Sequence, residues 1–559
     1  MTDNAMIEKL ASLWPEMTLL VGAVACLCTG LWPVRAVRRA TPFVAGGFLT
    51  AALVMTPALG VPETHPLGFG PLVGFLKAGA LAISLILLLI LARAPLRLAQ
   101  VQRAEAAEPF EPGDAMTGEF FAFFLLSVCG VLLSVGATDL VWLFLALELT
   151  SLPTYVMVAV GRDRMRAQES AVKYFFLGAM SAAVFLYGFA LVYGATGFTD
   201  YASIRQWIIG LDGAAPPPLF IAGLAIAALG LCFKIAAVPM HFYAADVYQG
   251  ASVPVTSMLA FVPKAAGFAA MIQIMALAGW EYGPNGNQLP PALATLLGVI
   301  AVLTMTVGNV LGLLQKSVKR TLAYSSVAHS GYILVGVLAG PGSGDDYLSN
   351  GLAAVAFYLL AYGLGTIASF SVIGCLRNPN GDEAEDLDDL AGLRARHPFL
   401  AGTLLVACLS LLGFPFTIGL VGKLWLVSAG FHAGFAVVIV IMVINSAISA
   451  AYYVRIGSTC FFGDDRGTTE ARYAPVRVVG AVFAAAASVA LGLQPGWVTE
   501  RAARAGRVAQ LQTQVEPEVQ ESTPAPAQAD PALPATPEAA PPAVSVNAAD
   551  PTAPAPQGG

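Results

Sequence analysis

The chain has 559 residues, of which 57% are hydrophobic and 11% charged, with a formal net charge of −6 and a mean hydropathy of +0.72. Ordinary soluble domains carry about 25% charged residues, so the composition excludes a soluble enzyme and defines an all-α polytopic membrane protein. The mildly acidic balance gives no sign of nucleic-acid binding, and the cysteines lie mostly inside apolar runs without a CxxC pair, which predicts neither a disulfide framework nor an iron–sulfur or zinc site.

Apolar segments of about 20 residues suffice to cross a hydrocarbon core about 30 Å thick. In chain order they are predicted at 12–32, 41–59, 72–93, 118–136, 139–160, 170–195, 218–240, 254–278, 290–314, 321–339, 351–376, 398–429, 433–456 and 476–495, about fourteen transmembrane helices. The first is not expected to be a cleaved signal peptide, because Arg35, Arg38 and Arg39 follow the apolar run instead of preceding it.

Loop charges set the orientation. With the N-terminus outside, the inner loops hold Arg35, Arg38, Arg39, Arg93, Arg97, Arg103, Arg162, Arg164, Arg166, Lys316, Lys319, Arg320, Arg377, Arg394, Arg396, Arg455, Arg466, Arg472 and Arg477. The outer side holds only Lys9, Arg205, Arg501, Arg504 and Arg507, three of them in the tail, so both termini are expected on the outer face.

The remaining basic residues lie within or at the edge of spans: Lys77, Lys173, Lys234, Lys264 and Lys423. A charge at mid-depth costs at least roughly 2.5 to 3.5 kcal/mol, which makes each a candidate functional group. Lys77, near the outer end of its span, is expected to snorkel to the headgroups. Lys173 lies near the inner end of the sixth span, where snorkelling and a buried role are equally open. Lys264 is about 15 Å into its helix, and Glu148 reaches a similar depth in the fifth span.

Lys234 is followed by Pro239. The stretch 398–429 that carries Lys423 would run about 48 Å as one straight helix, and a break at Gly413-Phe414-Pro415 relieves the excess. Charges beside broken helices recur at transporter ion sites, although a packing kink with a paired lysine gives the same pattern. Spans 4–8 and 9–13 form two sets of five, each with a lysine on its fourth, broken helix (7 and 12). Because five is odd, the two five-helix repeats are inverted relative to one another.

Several segments now point to a family. They are Leu147-Glu148-Leu149-Thr150-Ser151-Leu152-Pro153-Thr154-Tyr155, Ser170-Ala171-Val172-Lys173-Tyr174-Phe175, Phe233-Lys234-Ile235-Ala236-Ala237-Val238-Pro239-Met240-His241, Ala245-Asp246-Val247-Tyr248-Gln249-Gly250-Ala251, Val262-Pro263-Lys264, the run Lys319 to Tyr332, and Gly413-Phe414-Pro415 with Gly422-Lys423. Together, over roughly residues 10 to 495, they resemble the antiporter-like subunit N family of bacterial respiratory complex I, the NADH:quinone oxidoreductase. Subunits L and M and the Mrp-type sodium/proton antiporters share the broken helices.

The resemblance implies a non-redox, proton-translocating subunit in the bacterial inner membrane, among other membrane-arm subunits and lipid. It implies no cofactor in this chain; NADH, FMN, iron–sulfur clusters and quinone would lie in other subunits. It also implies roles. Glu148 pairs with Lys234 and modulates its proton affinity, Lys173, Lys264 and His329 extend a midplane path, and Lys423 is the exit-side carrier. His329 taken alone reads first as a buried, hydrogen-bonded packing residue, and only the resemblance favours the relay role. Two positions depart from the family pattern: Gln249 stands where an acidic residue is usual, and Thr366 where asparagine is expected. The alternative function is an Mrp-like secondary antiporter energised by ion gradients alone.

The predicted organisation is three helices over 1–117, five-helix sets over 118–278 and 290–456, an inner loop with the last helix over 457–500, and a disordered Pro/Ala-rich tail over 501–559. The acidic stretch from Asp382 to Leu393 is expected to be a solvated inner loop.

Overall fold

The computed structural model describes residues 12–58, 65–92, 117–161, 165–212, 214–284, 286–342, 347–378, 383–464, 470–471 and 475–511. Lys9, Arg93, Arg97, Arg103, Arg162, Arg164, Asp382, Arg466, Arg472 and the tail from 512 onward lie outside them.

The helices in chain order are α1 (Trp14–Gly30), α2 (Arg35–Ala58), α3 (Gly70–Leu91), α4 (Thr117–Val135), α5 (Leu140–Val160) and α6 (Met165–Thr196). A short α7 (Tyr201–Ile209) precedes α8 (Pro218–Leu231), α9 (Tyr243–Gly250), α10 (Val253–Ala278), α11 (Pro291–Leu313), α12 (Val318–Ala339) and α13 (Gly351–Gly374). After the four-residue α14 (Leu393–Arg396) come α15 (Pro398–Leu412), α16 (Ile418–His432), α17 (Ala436–Phe462), α18 (Pro475–Leu493) and α19 (Gly496–Leu511). Among the described residues, strands are confined to an antiparallel pair, β1 (Leu376–Arg377) and β2 (Glu470–Ala471).

Among the described residues, eleven helices are long and apolar enough to cross a membrane. Helices close every interior backbone hydrogen bond within themselves, which is what a lipid solvent demands. Their starts are written locally. Proline occupies the first turn of α3, α8, α10, α11 and α15, where its missing N–H removes no intrahelical bond. Asp139 caps α5 by accepting from Val141 N at 2.7 Å, and Asn350 caps α13 by accepting from Ala353 N at 2.8 Å.

Burial grades the helices from centre to rim. α10 is wholly enclosed by protein and α12 and α13 nearly so, whereas only a minority of the residues of α2, α17 and α18 are buried. The centre therefore carries Lys264 and His329. Helices pack closely where side chains vanish: a Cβ on Gly188 of α6 would lie 2.5 Å from Ala227 N of α8.

Both expected breaks are present, but the first starts earlier than Pro239 suggests. α8 ends at Leu231, an unwound segment runs from Cys232 to Phe242, and Ala236 adopts φ +54°. The second falls at Gly413, whose φ of +84° is the left-handed conformation that ends α15. A Cβ there would meet Lys423 Cδ at 2.9 Å. Gly413→Ala is thus expected to lower stability by about 1–3 kcal/mol, read as a drop in the thermal midpoint of the solubilised protein.

Two expectations need correction. Composition places the start of the disordered tail at 501, yet α19 runs to Leu511 and packs Val498, Ala502 and Ala505 against α3 and α13. Its alternation of alanine and arginine gives one apolar stripe, which composition alone obscures. The acidic stretch, expected to be a solvated loop, is not simply solvated. Val318 N donates to Glu385 O at 2.8 Å and Leu387 N to Lys316 O at 3.0 Å, tying the loop across the start of α12.

Candidate functional site

Lys234 lies in the unwound segment between α8 and α9, not on a helix. Its Nζ donates to Glu148 Oε1 at 3.0 Å and to Ser151 Oγ at 2.6 Å, and it sits 5.7 Å from the Phe185 ring centroid. Glu148 and Ser151 are three residues apart on α5, so one helix face presents a carboxylate and a hydroxyl to the same ammonium. The backbone freed by unwinding is satisfied by side chains. Tyr243 OH donates to Phe233 O at 2.8 Å, Ser330 Oγ to Ile235 O at 2.5 Å, and Val238 N to Thr304 Oγ1 at 3.0 Å. These bonds meet the requirement that irregular backbone at membrane depth be buried and paired.

Lys264, fully buried on α10, donates to Ser326 O and, at 2.7 Å, to Ser330 Oγ. Ser330 thus bonds both Lys264 and the unwound segment of Lys234. α10 also packs on that segment directly, since a Cβ on Gly267 would lie 2.9 Å from Lys234 Cβ. Tyr362 OH donates to Ser326 Oγ at 2.7 Å, with its ring 5.5 Å from Lys264 Nζ.

His329 is also buried on α12. Its Nδ1 lies 2.8 Å from Tyr358 OH and its Nε2 3.0 Å from Tyr453 OH, which is itself bonded to Ser325. The Tyr332, Tyr358 and Tyr362 rings surround it. Lys423 Nζ lies 5.0 Å from the Tyr332 ring, donating to Leu412 O at 2.7 Å and Ser446 Oγ at 3.0 Å. Leu412 is the last residue of α15, so the lysine satisfies a carbonyl orphaned by the break. A cavity of about 350 Å³ opens beside it, lined by Gly413, Phe414, Pro415, Leu424 and Ser446 among others.

Glu148, Lys234, Lys264, His329 and Lys423 therefore follow one another through shared neighbours: the Glu148–Lys234 pair, Ser330 between Lys264 and the segment of Lys234, the Tyr362 ring beside Lys264 and His329, and the Tyr332 ring beside His329 and Lys423. Direct hydrogen bonds between successive charged groups, after Glu148–Lys234, are not present among the described residues. Lys173 stands apart. Its side chain is 44% exposed, pairing with Glu169 at 2.7 Å and Asp246 at 3.4 Å. Asp246 also takes Arg320 at 2.7 Å, and Arg320 Nη1 donates to Gln249 Oε1 at 3.3 Å, so the glutamine keeps a hydrogen bond where the usual acid would form an ion pair. Thr366 is buried with no hydrogen-bond partner among the described residues.

Two buried ion pairs escape the sequence reading. Lys77 does not snorkel. It is 2% exposed and pairs with Glu16 of α1 at 3.1 Å, its ammonium beside Gly136 just past the end of α4. The spans expected at 12–32 and 72–93 place both residues at similar depth from their first residue, and that equal depth is the signal that could have paired them. Lys319, counted among inner-loop charges because Arg320 follows it, is fully buried and pairs with Glu383 at 2.6 Å.

Near Lys77, in the segment before α3, His65 Nε2 lies 2.8 Å from Ala137 O and its Nδ1 accepts from Leu67 N at 3.3 Å. The carbonyl fixes the proton on Nε2. Burial, opposed by the Ala137 hydrogen bond and reinforced by Lys77, pushes His65 down to about 4. The unfolded imidazole titrates near 6.5, so between about 6.5 and 4 the unfolded chain binds more protons and stability falls as the pH falls. The His65→Gln variant, whose amide matches both bonds, is expected to flatten that decline in the thermal midpoint; equal slopes would refute the assignment.

The transmembrane family of NADH:quinone oxidoreductases and Mrp antiporters matches residues 137–449. NADH-quinone oxidoreductase subunit N of Mycobacterium tuberculosis is 38% identical over 74% of this chain and 76% of its own length. Subunit N 1 of Rhizobium meliloti is 34% identical over 84% and 91%. Among solved structures, a chain of respiratory complex I from Thermus thermophilus superposes with a TM-score of 0.68 at 30% identity, covering 88% of this chain and 99% of that one. A chain of the Mrp complex from Dietzia sp. DQ12-45-1b shares the fold, with a TM-score of 0.67 at 19% identity over 92% and 99%. The chain belongs to the NADH:quinone oxidoreductase/Mrp antiporter family and, within it, to the subunit N group of complex I.

Proposed function

We propose that this membrane-arm subunit moves protons along the row Glu148, Lys234, Lys264, His329 and Lys423 while quinone is reduced elsewhere in the complex. The observation that carries the reading is the Glu148–Lys234 pair at 3.0 Å, with Lys234 on an unwound segment whose Phe233 and Ile235 carbonyls and Val238 N–H are bonded by side chains. Desolvation disfavours an ammonium and a nearby carboxylate favours it. Small movements of such a pair therefore switch a lysine between holding and releasing a proton. One charge crossing the membrane corresponds to about 2.3 kcal/mol per 100 mV, comparable with a swing of about two pKa units at about 1.36 kcal/mol each.

In this reading the eleven long helices, α1 and the two broken helices α8–α9 and α15–α16 make fourteen crossings with both termini outside. The sets α4–α10 and α11–α17 are inverted five-crossing repeats, each unwound beside its lysine. Lys173, with Glu169 and Asp246, serves the inner surface of the first set. The chain binds no redox cofactor; its partners are neighbouring membrane-arm subunits, lipid and protons. Reconstitution tests the assignment. The purified chain alone in liposomes is expected to show no sodium/proton exchange, whereas the assembled complex pumps. Rapid exchange by the chain alone would favour the secondary-antiporter function.

A further inference from the structure

We propose that Lys319 and Glu383 form an inner-side gate and proton-uptake station for Lys264, an inference that rests on the relay reading above. The pair closes the inner end of the seam between α10 and α12. Glu383 Oε1 accepts from Val253 N, the first residue of α10, at 2.9 Å, while Oε2 accepts from Lys319 Nζ at 2.6 Å. Lys319 Nζ also donates to Ala251 O at 3.1 Å. The lysine side chain is wholly enclosed, whereas the glutamate keeps 10% of its side chain exposed, so the glutamate is the member of the pair that solvent reaches.

Above the pair, the two helices present matching polar stripes. On α10, Val253, Ser257 and Lys264 follow at offsets of four and seven residues and so share one face. On α12, Lys319, Ser326 and Ser330 follow at seven and four and do the same. Lys264 bonds Ser326 O and Ser330 Oγ, which places the two stripes against each other at their upper end. Val253 N and Lys319 meet on Glu383 at the lower end. Between the ends, Ser257 Oγ is fully buried with no hydrogen-bond partner among the described residues. Tyr248 OH lies 3.4 Å from Ser326 Oγ in the same interval. An unpartnered buried hydroxyl is the group that a bridging water satisfies.

The distance is short enough for such a chain. From Val253 to Lys264 the helix rises about 16 Å, and Ser257 and Ser326 divide it. A proton taken from the inner side by the Glu383 carboxylate passes to water and across the Ser257 and Ser326 hydroxyls, each giving one proton and accepting one, and ends on the Lys264 amine. Glu383 opens the seam by releasing Lys319 and the start of α10 together. The tie of Glu385 and Leu387 to Val318 and Lys316 holds the loop in place as it does so.

The test uses the assembled complex in membrane vesicles. In a Ser257→Cys chain, labelling of the introduced thiol from the inner side by a small methanethiosulfonate is expected to be at least ten-fold faster with Glu383→Ala than with Glu383 present, corrected for the parent cysteines. Lys319→Met opens the same pair and replaces Glu383→Ala if that variant does not assemble. In the otherwise native chain, Glu383→Gln is expected to lower protons pumped per quinone reduced at least five-fold, with Glu383→Asp restoring more than half. Equal labelling rates, or normal pumping by Glu383→Gln, overturn the gate. Lys264→Met separates the two ideas: if it pumps normally the relay reading falls, while the labelling rates still judge the gate.

Discussion

Glu148→Ala and Lys234→Ala, each in the assembled complex, are expected to lower proton pumping roughly ten-fold or more while assembly stays largely intact. A ten-fold loss is only about 1.4 kcal/mol on a barrier, well within what one buried ion pair at 3.0 Å supplies. Assembly is expected to survive, with a lower thermal midpoint from the partner left unpaired, because the unwound backbone is held by Tyr243, Ser330 and Thr304, none of which either substitution touches. Glu148→Gln sharpens the reading, since the amide still accepts a hydrogen bond from Lys234 but carries no charge. If charge switching matters, it should resemble the alanine variant. Proton uptake by inside-out vesicles, normalised to quinone reduction, gives the number; wild-type values in all three variants would remove the relay role.

Lys77→Met is expected to do the opposite, lowering stability with little direct effect on proton movement. It leaves Glu16 buried without its ammonium, and removing one member of a buried pair costs about 3–5 kcal/mol. The pair joins α1, α3 and the end of α4, so the loss should emerge as a lower thermal midpoint. Replacing both residues, Glu16→Gln with Lys77→Met, should recover most of it, because no buried charge then stands alone. A double variant no more stable than the single one would show that the pair is not the source.

The contrast between these variants also marks what the sequence made legible. Span positions and both breaks followed from apolar length and from Pro239 and Gly413-Phe414-Pro415, because bilayer thickness restricts helix length so strongly. The deep charges were legible for the same reason: nothing cheap explains Lys264 about 15 Å into a helix. What escaped were pairings between distant segments. Glu16 and Lys77 are 61 positions apart and Lys319 and Glu383 are 64 apart, and periodicity within one helix carries no information about either. The exposed position of Lys173 is likewise set by how α6 turns against α9. The unwinding from Cys232, upstream of Pro239, depends on hydroxyls from α11 and α12 that accept or donate to the freed backbone.

The central claim is that Lys234, Lys264, His329 and Lys423 are stations on one lateral path. Three intervals in the row hold no direct hydrogen bond between stations: Lys234 to Lys264, where Ser330 bonds Lys264 and Ile235 O; Lys264 to His329, with the Tyr362 ring beside both; and His329 to Lys423, with the Tyr332 ring beside both. A map of the assembled complex fine enough to place ordered waters tests the claim most directly. The relay predicts waters in all three intervals, spaced within hydrogen-bond reach from Glu148 to Lys423. Dry, apolar packing across any one of them, in a complex that still pumps, would contradict it.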